Sequence, residues 1–327
     1  MNTPNTPLPE FVVPLGDGVH LIDTGFHRDH FDAAYLLVHD GRAAFIDTGT
    51  HLAVPRLLQA LDALDLARAD VDWVIPTHVH LDHAGGVGGL MQALPNALAL
   101  VHPRGARHMI DPQALWQGAT AVYGAEEMLR SYGQAVPVPA ERVVESEVHG
   151  DSSMVIDLGG RALRLIDSPG HARHHHCIWD EVTRGWFTGD TFGLSYREFD
   201  GPAGAWVLPS STPVQFDPTA LAATLDRLLA VQPECMYLTH YGRVTDINRL
   251  ARIFRGQLAA MVELGHQIRQ QALAPDARHA ALKAGLQDIH LASVEAEDCP
   301  VTQTEAARLL ALDVELNAQG MGVWLDR

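Results

Sequence analysis

The chain has little of two residue types that carry specialised roles. Its only cysteines among 327 residues are Cys177, Cys235 and Cys299, too widely separated for a zinc knuckle and odd in number for a disulfide framework. Lysine occurs once, at Lys283, and 23 basic residues against 40 acidic ones give a net charge of −17. Because proteins that bind phosphate backbones normally carry a basic face, we expect no nucleic-acid partner.

Long apolar runs are also missing. No segment is long and apolar enough to span a bilayer, and the opening stretch "MNTPNTPLPEFVVPLG" lacks the basic and apolar regions of a secretory signal. With so little cysteine, this predicts a cytoplasmic protein with no membrane partner. The hydrophobic residues, 47% of the chain, are enough for a large core.

Short apolar runs alternate with turn signals as far as about residue 244. The predicted strands are "HLIDTG", "AAYLLVHD", "AAFIDTG", "VDWVIPTH", "ALALVHP", "GWFTGD" and "CMYLTHYG". The stretch "MVIDLGGRALRLIDSPGH" predicts a hairpin that turns at Gly159 and Gly160. These elements predict a mixed α/β core.

Helical spacing appears within this core and dominates the region after it. Helices are predicted at "VPRLLQALDAL", from about Gln113 to Tyr132, and at "DPTALAATLDRLLAV", which begins with Asp217 and a proline. After Thr245 three helices follow, the last opening with a capping box formed by Thr302 and Glu305. The chain therefore ends in an all-helical region.

Residues that bind metals follow the predicted strands. Five histidines and two aspartates lie where a strand meets a loop: His78, His80, Asp82, His83, His171, Asp190 and His240. In an extended "THVHLDH" loop, alternate residues point the same way, so His78 and His80 can share one ion while Asp82 and His83 turn toward a second. The set suits two metal ions bridged by a carboxylate and by a water or hydroxide.

The order of these motifs resembles the metallo-β-lactamase superfamily, from roughly Val13 to Gly242. The resemblance implies an αβ/βα four-layer sandwich, two mixed β-sheets flanked by helices, with a helical C-terminal extension. We expect a catalytic domain over 1–244, with a helical insert at about 104–135, and the extension over 245–327. The resemblance also implies the ligand roles: His78, His80 and His171 for the first ion, Asp82, His83 and His240 for the second, and Asp190 as the bridge.

Departures from subfamily patterns narrow the resemblance to the glyoxalase II-like branch. Flavodiiron proteins carry glutamate at the position of His80, and secreted β-lactamases lack the pair Asp82 and His83. The stretch "SPGHARHHHCIWD" is most similar to an uncharacterised group of hydrolases in that branch. The implied function is a dinuclear hydrolase whose metal-bridging hydroxide attacks a thioester, lactone or related small-molecule substrate.

Two aspartates are the expected catalytic side chains. Asp82 would orient the hydroxide and relay its proton, and Asp47 of "AFIDTG" would fix the ligand loop and its tautomers. Zinc is the expected metal, and histidine with aspartate also suits iron or manganese. Alternative functions are a mononuclear iron enzyme resembling persulfide dioxygenases, a phosphodiesterase and a non-catalytic metal-binding protein.

Further candidate residues lie near these motifs. Of the four histidines in "SPGHARHHHC", only His171 is the expected ligand, and one of His174 and His175 is expected to face the site. Arg104, His108 and Tyr123 are further candidates for contact with a metal-binding side chain or with the substrate. His27 and His30 are interpreted as a solvated turn. The added helices are expected to shape the substrate entrance or a homodimer contact.

Overall fold

A computed structural model of the chain describes residues 7–211 and 214–327 and contains two β-sheets. The first six residues of the domain predicted over 1–244, with the start of the N-terminal stretch, lie outside the described residues. The first sheet has seven strands in chain order, antiparallel up to β4 and parallel from there. They are β1 (Val12–Gly16), β2 (Val19–Asp23), β3 (Ala33–His39), β4 (Arg42–Ile46), β5 (Val71–Ile75), β6 (Leu98–Val101) and β7 (Val143–Glu145).

The second sheet has six strands and is mostly antiparallel, with one parallel pair between β11 and β12. Its strands are β8 (Ser153–Leu158), β9 (Arg161–Asp167), β10 (His176–Asp180), β11 (Gly185–Gly189), β12 (Cys235–Leu238) and β13 (Gly242–Val244). The predicted hairpin at Gly159 and Gly160 joins β8 to β9, and both glycines have the positive φ that such a turn requires.

Helices cover the outer face of each sheet. Those of the first three quarters are α1 (Val54–Ala63), α2 (Leu81–Ala84), α3 (Val87–Ala93), α4 (Pro103–Ile110), α5 (Gln113–Tyr123), α6 (Ala125–Glu127) and α7 (Pro218–Ala230). The C-terminal helices are α8 (Ile247–Gln270), α9 (Pro275–Ala296), α10 (Gln303–Leu309) and α11 (Ala311–Leu325).

Alternation along the strands produces the four layers. In β3, Tyr35 and Leu37 face the second sheet, where they join a core with Ile178 and Phe187, while Leu36 faces α1 and α3. The outer face of the second sheet packs against α7 and the C-terminal helices. The αβ/βα sandwich and the helical extension expected from the resemblance are therefore confirmed.

The C-terminal helices share one hydrophobic core with the second sheet. Trp186 of β11, Leu225 of α7, Phe254 of α8 and Met321 of α11 are all buried in it. Within the part of the chain that the structure describes, no helix is long and apolar enough to cross a membrane.

Two helix predictions need correction. The helix expected from Gln113 to Tyr132 is interrupted at Gly124, whose φ of +85° ends α5, and a π-helical turn runs from Met128 to Tyr132. The last predicted helix is divided into α10 and α11 at Leu310. At Thr302 the hydroxyl accepts a hydrogen bond from the Glu305 backbone, whereas the Glu305 carboxylate pairs with Arg308 instead of closing the capping box.

Candidate metal centre

The seven candidate donors meet at one edge of the sandwich, where loops follow four strands. The loop after β5 carries His78 and His80, and the short helix α2 that begins after His80 carries Asp82 and His83. His171 follows Gly170, whose φ is +141° and where a Cβ would lie 2.3 Å from the Cα of Leu221. Only glycine fits that turn.

Donor atoms of these residues form three overlapping groups. Within each group the atoms lie within 4.8 Å of one another: His78, His80 and His171; His78, His83 and Asp190; Asp82, His83 and His240. Asp190 lies between the groups, with Oδ2 at 3.2 Å from His171 Nε2 and Oδ1 at 3.3 Å from His83 Nε2. Its two oxygens therefore face different groups.

The separations fit a tetrahedral metal. Two ligand atoms that are each 2.0–2.1 Å from zinc lie about 3.3 Å apart in that geometry. The His171 Nε2 to His80 Nδ1 and His240 Nε2 to Asp82 Oδ2 distances are both 3.4 Å. The His78 Nε2 to His80 Nδ1 distance, 2.7 Å, is shorter.

Hydrogen bonds from the other ring nitrogen orient two of the imidazoles. His171 Nδ1 donates to the Ser210 carbonyl at 3.1 Å, and His240 Nδ1 donates to the Phe31 carbonyl at 2.9 Å. Each bond leaves the Nε2 lone pair directed at the cluster, as a metal ligand requires.

Asp47 is buried beneath the donor cluster and is not among the described residues that line the cavity. Its carboxylate accepts from the Thr77 backbone N–H at 2.6 Å and from the Thr239 hydroxyl at 2.6 Å, and it pairs with His83 Nδ1 at 2.9 Å. Because Asp47 is fully buried, these bonds fix the loop after β5 and the tautomer of His83. This placement suits an orienting residue and gives Asp47 no contact with a substrate.

Burial and charge act differently on the two sides of the cluster. Burial, with the neighbouring histidines, lowers the pKa of His78 well below its usual range and that of His80 to about 3. Burial opposes the charged form of His83 and His240 too, yet nearby carboxylates raise the pKa of His83 well above its usual range and that of His240 to about 9. One side therefore offers neutral nitrogens and the other concentrates negative charge.

Two buried polar atoms support the fit to metal ions. His83 Nε2 and Asp190 Oδ1 are buried and 3.3 Å apart, yet neither makes a well-directed hydrogen bond to any described residue. Buried polar groups of this kind are normally satisfied, and an unpaired one calls for an explanation such as an ion. Imidazole and carboxylate without thiolate are donors suited to zinc, iron or manganese.

The remaining histidines of "HARHHHC" take three different positions. His174 is 7% exposed and lines the cavity above the cluster. His175 is fully buried and stacks on His78, with ring centroids 4.8 Å apart. His176 points away and bonds to Ser146 Oγ and the Pro76 carbonyl. Cys177 is buried, and burial raises the pKa of its thiol to about 12.

A cavity of about 410 Å³ opens directly above the donors. Of the eight described apolar or glycine residues that line it, all but Val214 form what we call the apolar wall: Leu81, Ala114, Leu115, Gly118, Ala119, Val122 and Leu316. His108 and Tyr123 also line this cavity, whereas Arg104 is exposed and donates to the Arg173 carbonyl outside it. His27 and His30 are exposed, and His27 borders a smaller adjoining cavity.

Several residues of the site carry no motif. Leu316 and Tyr132 line the main cavity, and Asp313 and Asn317 line the adjoining one, next to His240. Three of these four belong to α11, more than seventy residues after the last candidate donor. The spacing of Asp313, Leu316 and Asn317 is that of one helix face, but no local pattern in the sequence shows that this helix reaches the site.

Comparisons with known proteins agree with this geometry. Residues 30–240 match the family model described as the metallo-beta-lactamase superfamily. The chain is 29% identical to a hydroxyacylglutathione hydrolase from Acidiphilium cryptum, over 67% of this chain and 68% of the relative. It is 27% identical to an acyl-coenzyme A thioesterase from Homo sapiens, over 59% of this chain and 68% of the relative.

A solved structure extends the likeness to the C-terminal helices. The metallo-beta-lactamase superfamily protein ST1585 from Sulfolobus tokodaii superposes with a TM-score of 0.62 at 22% identity, covering 94% of this chain and 98% of that one. The matched residues contain every candidate donor. The chain thus belongs to the metallo-beta-lactamase superfamily.

Proposed function

We propose that the protein is a dinuclear metal-dependent hydrolase that cleaves an ester-like bond, with a thioester as the preferred substrate. The observation that carries this proposal is the set of three overlapping donor groups, with Asp190 in the middle group, beneath a largely apolar cavity. Donors for two ions combined with an open space above them suit hydrolysis of a small molecule bound in that space.

The positions of the seven candidate donors assign them to two metal ions. His78, His80 and His171 would hold one ion, Asp82, His83 and His240 the other, and Asp190 would contact both. When bound, the ions would supply an activated water at neutral pH and would polarise the substrate carbonyl.

Asp82 is the candidate for proton transfer. Its side chain is 27% exposed, whereas those of Asp190 and His240 are 7% and 5% exposed. It also lines the cavity, so its carboxylate can accept a proton from an attacking water and return it to the leaving group. Burial would raise the pKa of Asp82, but the charges of His83 and His240 hold it below its usual range. The Asp82 carboxylate is therefore ionised at neutral pH.

Two features favour a thioester over other bonds. The names of two relatives, a hydroxyacylglutathione hydrolase and an acyl-coenzyme A thioesterase, both describe thioester cleavage. Among the described residues that line the cavity, none is a lysine or arginine that would pair with a phosphodiester. The group around Asp82, His83 and His240 also favours two ions over the single iron of a dioxygenase-like enzyme.

A substrate panel tests the proposal. Purified zinc-loaded protein is assayed with an acyl thioester, a lactone, a phosphodiester and a β-lactam, and an iron-loaded sample is assayed for oxygen uptake with a persulfide. We expect the highest kcat/KM on the thioester and none of that activity in an Asp82→Ala variant, which loses both a ligand of the second ion and the proton acceptor. Faster phosphodiester cleavage, or oxygen uptake without hydrolysis, would overturn the proposal.

A further inference from the structure

We propose that the apolar wall binds a straight-chain acyl group and that Gly118 of α5 sets the longest chain accepted. This inference rests on the proposed function, because it treats the cavity as the acyl side of an ester-like substrate. The occupant is an unbranched alkyl chain that runs along α5 from the donor cluster.

Most of the apolar wall is one continuous face of α5. Positions 114, 115, 118, 119, 122 and 123 of α5 line the cavity, a spacing that keeps them on one side of a helix. At 1.5 Å per residue this face is about 13 Å long. Its C-terminal end, Tyr123, also borders the smaller cavity that contains Asp82, Asp190 and His240, so the face begins beside the donors.

The composition of the lining selects an alkyl chain. In the described part of the chain, the only charged side chains lining the cavity are Asp82 and Asp190, which belong to the donor cluster. Val122 at the rim is 45% exposed, which extends the apolar surface toward solvent. An alkyl chain along this face would gain about fourfold in affinity for each methylene that it buries.

Gly118 leaves open space in the middle of this face. A Cβ built there would have no atom within 4 Å, whereas a Cβ at Gly105 of α4 would lie 2.6 Å from Val79 Cγ1. Close packing therefore explains glycine at 105 but not at 118, in the interior of a helix where glycine is unfavourable. Because Gly118 lines the cavity, a larger side chain there would occupy part of the space along this face.

Calorimetry of product binding tests this inference without turnover. Zinc-loaded protein is titrated with butanoate, hexanoate, octanoate, decanoate and dodecanoate. In the wild type we expect affinity to rise about fourfold per added methylene until the face is filled. Gly118→Leu should keep butanoate affinity and lose the gain for longer chains, and Gly118→Ala should lose less of it.

Two further variants complete the design. Gly256→Leu on the exposed side of α8 is the matched control, since a Cβ there also meets nothing within 4 Å, and it should bind like the wild type. Leu316→Ala, in the part of the apolar wall that α11 provides, should shift the preference toward longer chains. Equal effects of the Gly118 and Gly256 variants, or affinity independent of chain length in the wild type, would overturn the inference.

The same titrations separate the inference from the proposed function. Chain-length-dependent binding that Gly118→Leu shortens supports the acyl site even when no ester is hydrolysed, in which case only the proposed function fails. Thioester hydrolysis with equal kcat/KM for butanoyl and decanoyl substrates supports the proposed function and overturns the acyl site.

Discussion

The donor cluster and the apolar wall line the same cavity but differ in how the amino-acid sequence specifies them. Every donor lies in a short motif next to a strand, and hydrogen-bond partners such as Asp47 and the Ser210 carbonyl hold the donors in place. The wall has no motif, and one of its members, Leu316, lies beyond the residues 30–240 that match the family. The metal-binding residues can thus be recognised from short sequence motifs. The shape of the cavity that would select a substrate depends instead on how helices distant in the sequence pack together.

Removing the C-terminal helices breaks the wall while leaving every donor in the chain. Truncation after residue 245 would remove Phe254, Met261 and Met321 from the core that they share with β11 and α7, exposing large apolar surfaces. We expect the truncated chain to aggregate and to bind an apolar fluorescent dye strongly. The fraction that stays in solution and binds metal should have altered activity. A monomeric truncated chain of unchanged activity would refute this expectation.

Changing the shared carboxylate attacks the donor cluster alone. Asp190→Asn should strongly lower turnover of a thioester, because the charged oxygens next to His83 and His171 are lost. Replacing a residue that only hydrogen-bonds to a metal ligand typically costs roughly 10- to 100-fold in activity, and we expect a larger loss here. Steady-state kinetics with circular dichroism measures this, and Asp288→Asn on the exposed side of α9 is the control. Unchanged turnover with normal metal content would remove Asp190 from its bridging role.

Alanine variants of the four clustered histidines test which of them belongs to the donor cluster. His171→Ala should lose at least one of two metal ions, because its Nε2 faces both His80 and Asp190. Alanine at His174, His175 or His176 should keep the full complement. Metal analysis of each folded variant decides this, and metal loss at any of the last three positions would mean that a different histidine is the ligand.

The smallest expected effect concerns Asp313 of α11, next to the cavity. Burial raises the pKa of Asp313 to about 6, while Oδ1 accepts from the Tyr196 hydroxyl at 2.9 Å and Oδ2 has no hydrogen-bond partner among the described residues. Since this pKa is above the unfolded value of 3.8, the contribution of Asp313 to stability is complete below about pH 4 and is lost as the pH rises through about 6.

Asp313→Asn keeps an acceptor for Tyr196 and removes the buried charge. Urea unfolding of metal-free protein at about pH 8 should therefore show the variant to be more stable, by at most about 3 kcal/mol. The difference should shrink toward pH 4. A wild type that is more stable than the variant at the higher pH would show that the ionised carboxylate has a stabilising partner.

The contrast between cluster and wall also explains what could be predicted from the sequence. The strands before His78, Asp190 and His240 and the start of α7 at Asp217 follow local rules of alternation and capping, and the structure has them where they were expected. The end of α5 at Gly124 was missed although glycine is a common stop signal, because the apolar spacing continues past it. The position of Leu316 has no local signal, since it depends on how α11 packs against the sandwich.

The central claim is that the donor cluster holds two metal ions that hydrolysis requires. Purified protein is stripped with a chelator and titrated with zinc while metal content and thioester hydrolysis are measured on the same samples. The account predicts no hydrolysis in the stripped protein and full activity at about two ions per chain. Full activity at one ion, or hydrolysis that survives complete removal of metal, would contradict it.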